Sequence, residues 1–506
     1  MAPRGDGDTR ADDVLIVGAG PAGLTAAYML TRDTDLAVRI VEAHPTLVGG
    51  ISRTESHLDC LIDIGGHRFF TKSPAVEALW REILPDGFLP RPRLTRIFYR
   101  RKFYNYPLSA LETLRNLGPW ESALCVASYV RARLRPIAPE RSFADWVANR
   151  FGARLFGMFF KSYTEKVWGM RCEEISADWA AQRIKNLDLW QAAMSGLRRS
   201  LGLRAQRGPV IKTLVERFNY PQRGPGMMWR AAADKIAARG GTIELGLRAT
   251  EFSWDAGAGM WSVTVEDRDG LQRLYRARHV ISSAPMSELV AAVRPAARTV
   301  AQASRLRYRD FMIVALVVDG KPDFPDNWIY VHDPNLRVGR VDNFAVWTDE
   351  MAPPGRACLG FEYFSTQGDA MWRMDDEALI ALATRELADL GLAGGSRVIG
   401  ARVIRQLKAY PVYDAAYRDI VAAVRTEFAE RFPTLHFVGR NGMHKYNNQD
   451  HAMMTAMLTA ENIIAGRAKF DVWNVNEDAQ YHEEEETETR SGAGGLRAVP
   501  TLLPGE

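Results

Sequence analysis

The sequence predicts an α/β chain: a three-layer Rossmann-like sheet, interleaved with a helical cap and a second, mainly antiparallel sheet. Three observations carry this. A strand, glycine turn, helix and second strand open the chain. Residues 108–205 carry mostly helical periodicity. Strand patterns then recur, first as alternation over residues 240–270 and again over 311–370. At 506 residues, more than one lobe is expected.

The opening unit is DDVLIVGAGPAGLTAAYML followed by LAVRIVEAH. VLIV reads as a strand, and LTAAYML as a helix. Between them lies the turn Gly18-Ala19-Gly20-Pro21-Ala22-Gly23. Gly18 permits the tight turn, Gly20 lets the backbone approach a pyrophosphate, and Gly23 lets helix and strand pack closely. The helix start offers free N–H groups and a positive dipole end to phosphates. The second strand ends in Glu42, with Ala43 after it, 19 residues beyond Gly23. A carboxylate there can accept hydrogen bonds from a ribose diol. HPTLVGGISRT adds Gly49, Gly50 and Arg53. This pair resembles the second glycine element of FAD-dependent proteins of the amine oxidase and mutase superfamily. The resemblance implies FAD rather than NAD.

Composition excludes several classes. A net charge of +4 on a chain with 25% charged residues does not mark a nucleic-acid binder. Cys60, Cys125, Cys172 and Cys358 are scattered, as reduced thiols in a cytoplasm would be. No histidine pair has metal spacing, so no metal is expected. The N-terminal MAPRGDGDTRADD has no apolar signal region, and no apolar run is long enough to span a membrane. The basic-aromatic stretch 91–104 and the amphipathic stretch 118–137 leave peripheral membrane contact open.

The expected organisation has seven parts. Residues 1–12 form a disordered N-terminus and 13–90 the first part of the FAD-binding domain. Residues 91–215 form the helical cap and part of the substrate domain, with 91–102 strand-rich, and 216–310 form the second FAD-binding part. Residues 311–420 form the substrate-domain sheet, with strands in FMIVALVVDG, NWIYVHD, NFAVWT and ACLGFEYF. Residues 421–465 form the third FAD-binding part. Residues 466–506, with EDAQYHEEEETETR, read as an acidic, largely disordered tail.

The last FAD-binding part carries GRNGMHKYNNQDHAMMTAMLTAEN. Its polar NNQDH opens a helix rich in small residues and methionine. Such a helix start can stabilise negative charge on a flavin, with Gln449 and Asp450 beside it. The segment closely resembles the C-terminal signature of eukaryotic-type UDP-galactopyranose mutases. GGHRFF, RLTRIFYRRKFYNYPL, FFKSYTEKVWGM and AAQRIKNL agree in order, so the resemblance spans roughly residues 13 to 465. It implies a pyranose–furanose mutase acting on a nucleotide sugar. In that reaction the reduced flavin attacks the anomeric carbon through N5. NAD(P)H is then a candidate reductant, and an oligomer remains open.

The resemblance also implies residue roles. His67 and Gly66 fall beside the flavin, Arg440 and Gly439 near sugar and flavin, and Trp168 at the sugar. Arg183 and Arg340 fall on phosphate-binding arginines, and Tyr330, Tyr410 and Tyr446 on tyrosines near the phosphates. The sequence also departs from that pattern. Ser109 follows Tyr106-Pro107-Leu108 where the mutases carry Gln, Glu165 follows Tyr163-Thr164, and His444 replaces an aromatic residue. An FAD-dependent oxidoreductase of the amine oxidase, protoporphyrinogen oxidase or desaturase type is the alternative. The NQDH closing motif differs from the glycine-alanine pattern of those oxidases.

Overall fold

The computed structural model describes residues 11–106, 108, 110–177, 217–322 and 324–475. Arg183, the N-terminal ten residues and most of the acidic tail lie outside them.

Strand β1 (Asp12–Val17) is apolar on both faces, with Val14, Leu15 and Ile16 fully buried. Such a strand suits the middle of a parallel sheet. It pairs in parallel with β2 (Val38–Glu42) on one side and with Gln272–Ser282 on the other. Thr242–Leu245 extends the sheet beyond β2, and Leu435–Phe437 joins beside Val280–Ser282, both in parallel. Arg248–Asp255, Met260–Glu266 and the first half of Gln272–Ser282 form an antiparallel meander on the same sheet. The chain therefore returns to this sheet twice, and its closing helix lies against its opening one. Asp12, expected in the N-terminal tail, instead opens β1, where its carboxylate takes the Arg39 guanidinium at 2.8 Å.

Helix α1 (Pro21–Asp33) has proline at its first position, where no N–H is needed. One face of the sheet packs Val14, Ile16 and Ile40 against α1, Pro225–Ala238 and the closing helix Gln449–Ile464. The other face packs Leu15, Val17 and Val263 against Ile420, Val424 and Phe428 of the helix Tyr417–Arg431.

The second sheet has seven strands in the order Val398–Pro411, Tyr308–Asp319, Arg356–Ser365, Arg340–Asn343, Trp328–Val331, Thr95–Tyr99, Lys102–Asn105. All neighbours are antiparallel except Trp328–Val331 beside Thr95–Tyr99. Two strands of this sheet thus come from the start of the 91–215 segment, and Thr95–Tyr99 lies within the stretch 91–102 expected to be strand-rich. NFAVWT is not a strand. Strand Arg340–Asn343 ends there, and Asn343 caps a 3-10 turn over Phe344–Val346 by accepting the Ala345 N–H at 3.2 Å. Helices Pro119–Leu134, Phe143–Phe151 and Ser162–Trp168 build the cap. Among the described residues, no helix is long and apolar enough to cross a membrane.

Candidate active site

The site begins where two glycine elements meet. Gly18 (φ +99°) and Gly49 (φ +107°) adopt backbone conformations that disfavour side chains. The Gly49 N–H donates to the Ala19 carbonyl at 2.7 Å, which docks the second element on the first. A Cβ on Gly50 would lie 3.1 Å from Gly20 Cα, and one on Gly23 would lie 1.9 Å from the Gly18 carbonyl oxygen. Pro21 and Ala22 open α1 above this turn, and Gly439 (φ +76°) brings the closing segment against Ala22. Glu42 accepts the Ala19 N–H at 2.6 Å and the His44 N–H at 2.7 Å, while Ala43 continues the strand end. The carboxylate is thereby held beside the turn. Arg53 is buried and donates to Glu55, to the Gly50 carbonyl and to Gln406. It braces the second glycine element from inside the protein.

The closing helix presents its first residues to the same region. The Asn448 N–H donates to His451 Nδ1 at 3.2 Å, so the polar cluster also works as a local cap. Gln449 donates to the Arg68 carbonyl at 2.9 Å, and its buried Oε1 has no partner among the described residues. Asp450 is buried, and desolvation raises its pKa to about 7. A glycine cradle and an unsatisfied carbonyl oxygen at a helix start fit a dinucleotide cofactor with a polar ring system.

Beyond the cradle, Gly65, Gly66 and His67 form a loop over a buried charge cluster. The half-buried His67 ring lies 2.9 Å from the Ile64 carbonyl. Burial and then the charge of Arg440 lower its pKa to about 3, so the ring is neutral at pH 7. Beneath the loop, Arg340 donates to Glu362, and its Nε lies 3.9 Å from Asp342. Both carboxyl groups are fully buried. A Cβ at Gly65 would sit 3.1 Å from Glu362 and 3.2 Å from the Arg340 guanidinium. One guanidinium cannot neutralise two buried carboxylates. Burial, and then the neighbouring Glu362, push the Asp342 pKa far above the carboxylate range, and Asp342 holds its proton. Arg340, expected to bind phosphate, thus lies between acidic partners in this structure.

An aromatic wall completes the site. Tyr410 and Tyr446 stack at 5.5 Å, Arg440 lies 5.4 and 5.2 Å from their ring centres, and Trp168 meets Tyr446 at 6.1 Å. Arg440 is fixed by the Asn447 and Ala409 carbonyls. Tyr330 meets Tyr106 at 5.2 Å and Tyr163 at 5.4 Å. The acid–base environment of Tyr163 includes Arg340, Glu362 and Tyr410, so the two aromatic groups border the same charge cluster. Lys166, two residues before Trp168, is anchored on the second sheet. The Lys166 ammonium donates to the Val331 and Asp333 carbonyls at 3.0 and 2.7 Å, and burial lowers its pKa to about 8.

Sequence reasoning missed Arg68, Arg93, Asp342 and Glu362. The Arg68 guanidinium lies 5.6 Å from the Trp328 ring, and Arg93 lies 5.9 Å from that ring and 5.3 Å from Tyr106. Burial, and then the adjacent charge of Arg93, lower the Arg68 pKa to about 10. Two signals were present. Arg68 directly follows His67, and Glu362 interrupts the otherwise apolar strand interior CLGFEYF. A charge inside a strand buried on both faces marks a special site.

Comparison with known proteins agrees with this architecture. A Klebsiella pneumoniae protein described as a UDP-galactopyranose mutase is 23% identical over 173 residues, 33% of this chain and 43% of that protein. The match thus spans less than half of that relative. A crystal structure of reduced UDP-galactopyranose mutase superposes with a TM-score of 0.78 at 19% identity, covering 93% of this chain and 97% of that one. A protoporphyrinogen oxidase-type protein from Exiguobacterium sp. 255-15 gives 0.67 at 16% identity, covering 91% of this chain and 100% of the other. Putrescine oxidase bound to putrescine gives 0.57 at 16% identity, covering 90% and 99%. At these identities the likeness is one of fold. The family model for flavin-containing amine oxidoreductases matches residues 21–464, nearly the whole of the described chain. With the glycine cradle and the polar helix start, this makes the protein a flavoenzyme that uses FAD, and the chain belongs to the flavin-containing amine oxidoreductase family.

Proposed function

We propose that the chain is an FAD-dependent nucleotide-sugar pyranose–furanose mutase. The observation that carries the reading is the wall of Trp168, Tyr446, Tyr410 and Arg440 beside Tyr330 and Tyr163, bordered by Arg68, Arg93 and Arg340. Stacked rings with guanidinium groups suit a sugar tethered to a diphosphate. In this reading Glu42 takes the cofactor ribose, the α1 start takes the pyrophosphate, and Gln449 and Asp450 meet the ring system. Reduced FAD supplies a nucleophilic N5 at the anomeric carbon without net redox change. The chain's own residues do the rest. Arg68 and Arg93, with Arg183 from outside the described residues, hold the diphosphate. Trp168 and Tyr446 orient the sugar and exclude water. Neutral His67 can carry or accept one proton beside the ring system.

One observation favours a second reading, an oxidoreductase acting on an amine, a porphyrinogen or an isoprenoid. Arg340 is paired with Glu362 and Asp342, which lowers the positive charge left for a diphosphate. An anaerobic experiment separates the two. The protein is reduced with dithionite, given a panel of nucleotide sugars, and the products are resolved by chromatography. Furanose–pyranose exchange with the reduced protein alone is the expected result. Bound, reduced FAD with no exchange on any sugar would transfer the assignment to the oxidoreductase.

A further inference from the structure

The helix Pro119–Leu134 turns an apolar face outward. Trp120 is 76% exposed, Val126 51%, Val130 45% and Leu134 77%, and Ile137 just beyond is 47% exposed. Ala123 and Ala127 are exposed on the same side. At 100° per residue these positions fill one arc of about 120°, from Val126 through Val130, Ala123, Leu134 and Ala127 to Trp120. Arg133 and Arg131 stand at its two edges, Arg135 follows, and all three are exposed. None of the three forms an ion pair among the described residues. The only acidic residue of this helix, Glu121, is paired with Arg154. The inward side is thin, since Cys125 is its one fully buried residue.

This is a reversed helix face. Its apolar residues meet water, although nearby helices have their own cores to fill. Among the described residues, five of the twelve large exposed hydrophobic side chains fall within these eighteen positions, so the exposure is a patch and not scatter. The charges decide what covers it. A second copy of the chain docked by the same face would bring arginines to arginines, with the one carboxylate already taken. An anionic bilayer offers hydrocarbon to the arc and phosphates to both edges, with an exposed tryptophan suited to the headgroup boundary. We infer that this helix is a peripheral membrane anchor that lays the cap of the enzyme on an anionic phospholipid surface. The anchor is independent of which reaction the active site performs.

The test is co-sedimentation of the full-length, FAD-loaded protein with large vesicles. One set is phosphatidylcholine alone, and the other contains about a quarter phosphatidylglycerol. Binding to the anionic vesicles is expected, with loss at about 0.5 M salt. Trp120→Ser/Leu134→Ser should weaken it about tenfold or more, and Arg131→Glu/Arg133→Glu should do the same by removing the edge charges. All four side chains are exposed, so FAD content and the melting temperature should not change, which identifies any misfolded variant. Equal binding to both vesicle types, or no loss in either variant, would overturn the inference. So would light scattering that shows a dimer which the Trp120/Leu134 variant converts to monomer, since a second copy would then be the occupant.

Discussion

Arg340, Glu362 and Asp342 show how far one residue's meaning depends on its neighbours. A single arginine in RVGRVDNF resembles a phosphate ligand, yet in the fold it pairs with the buried Glu362 beside a protonated Asp342. Arg340→Ala should therefore cost stability as well as any activity. Removing the cation from a buried pair costs about 3–5 kcal/mol, which a denaturant titration would read. If Arg340→Ala kept full stability, the pairing described here would be wrong. Asp63 gives a pH-dependent case. It is buried, accepts from Tyr220 and from Thr54, and burial raises its pKa from 3.8 to about 7. The folded protein therefore binds this proton more tightly than the unfolded chain does. Its contribution to stability is complete below about pH 4 and is lost as pH rises through 7, with a slope of about 1.4 kcal/mol per pH unit between. Asp63→Asn should flatten that part of the urea-midpoint profile, and an unchanged slope would refute the assignment.

At the scale of elements, the strand–turn–helix opening separates two glycine tasks. At Gly23 a Cβ would collide with backbone, 1.9 Å from the Gly18 oxygen. At Gly20 the nearest protein atom would be an ordinary 3.7 Å away. Gly23→Ala should thus destabilise the fold itself, by about 1–3 kcal/mol or more, because α1 must move off β1. Gly20→Ala should fold normally and lose FAD affinity, because its space is open to a ligand and not to protein. Thermal melts and bound-flavin absorbance check both. These glycines were legible from spacing alone, since a turn between a buried strand and a helix leaves few solutions. The 3-10 turn over NFAVWT was not, because β-rich residues suit a strand until the Asn343 side chain offers the backbone another partner.

At the scale of the molecule, the nucleotide sheet is assembled from segments far apart in sequence. The closing helix packs on the opening one, and Gly439 touches Ala22. Cofactor contacts drawn from both ends of the chain should make folding and FAD binding mutually dependent. Removing FAD should lower the melting temperature, and adding it back at about 100 times its dissociation constant should restore about 2.7 kcal/mol. An apoprotein as stable as the holoprotein would argue against a cofactor held by both ends.

By itself, the sequence determined the α/β class, the glycine cradle and the closing helix. Each of these rests on local spacing, and local spacing is fixed by backbone geometry. The tertiary structure alone decided which charges meet. Arg68 with Arg93, Arg340 with Glu362, and Lys166 with the Val331 carbonyl are separated by long stretches of chain or by strand crossings. Electrostatic partners depend on distance and burial in three dimensions, and neither is encoded by the position of one residue along the chain.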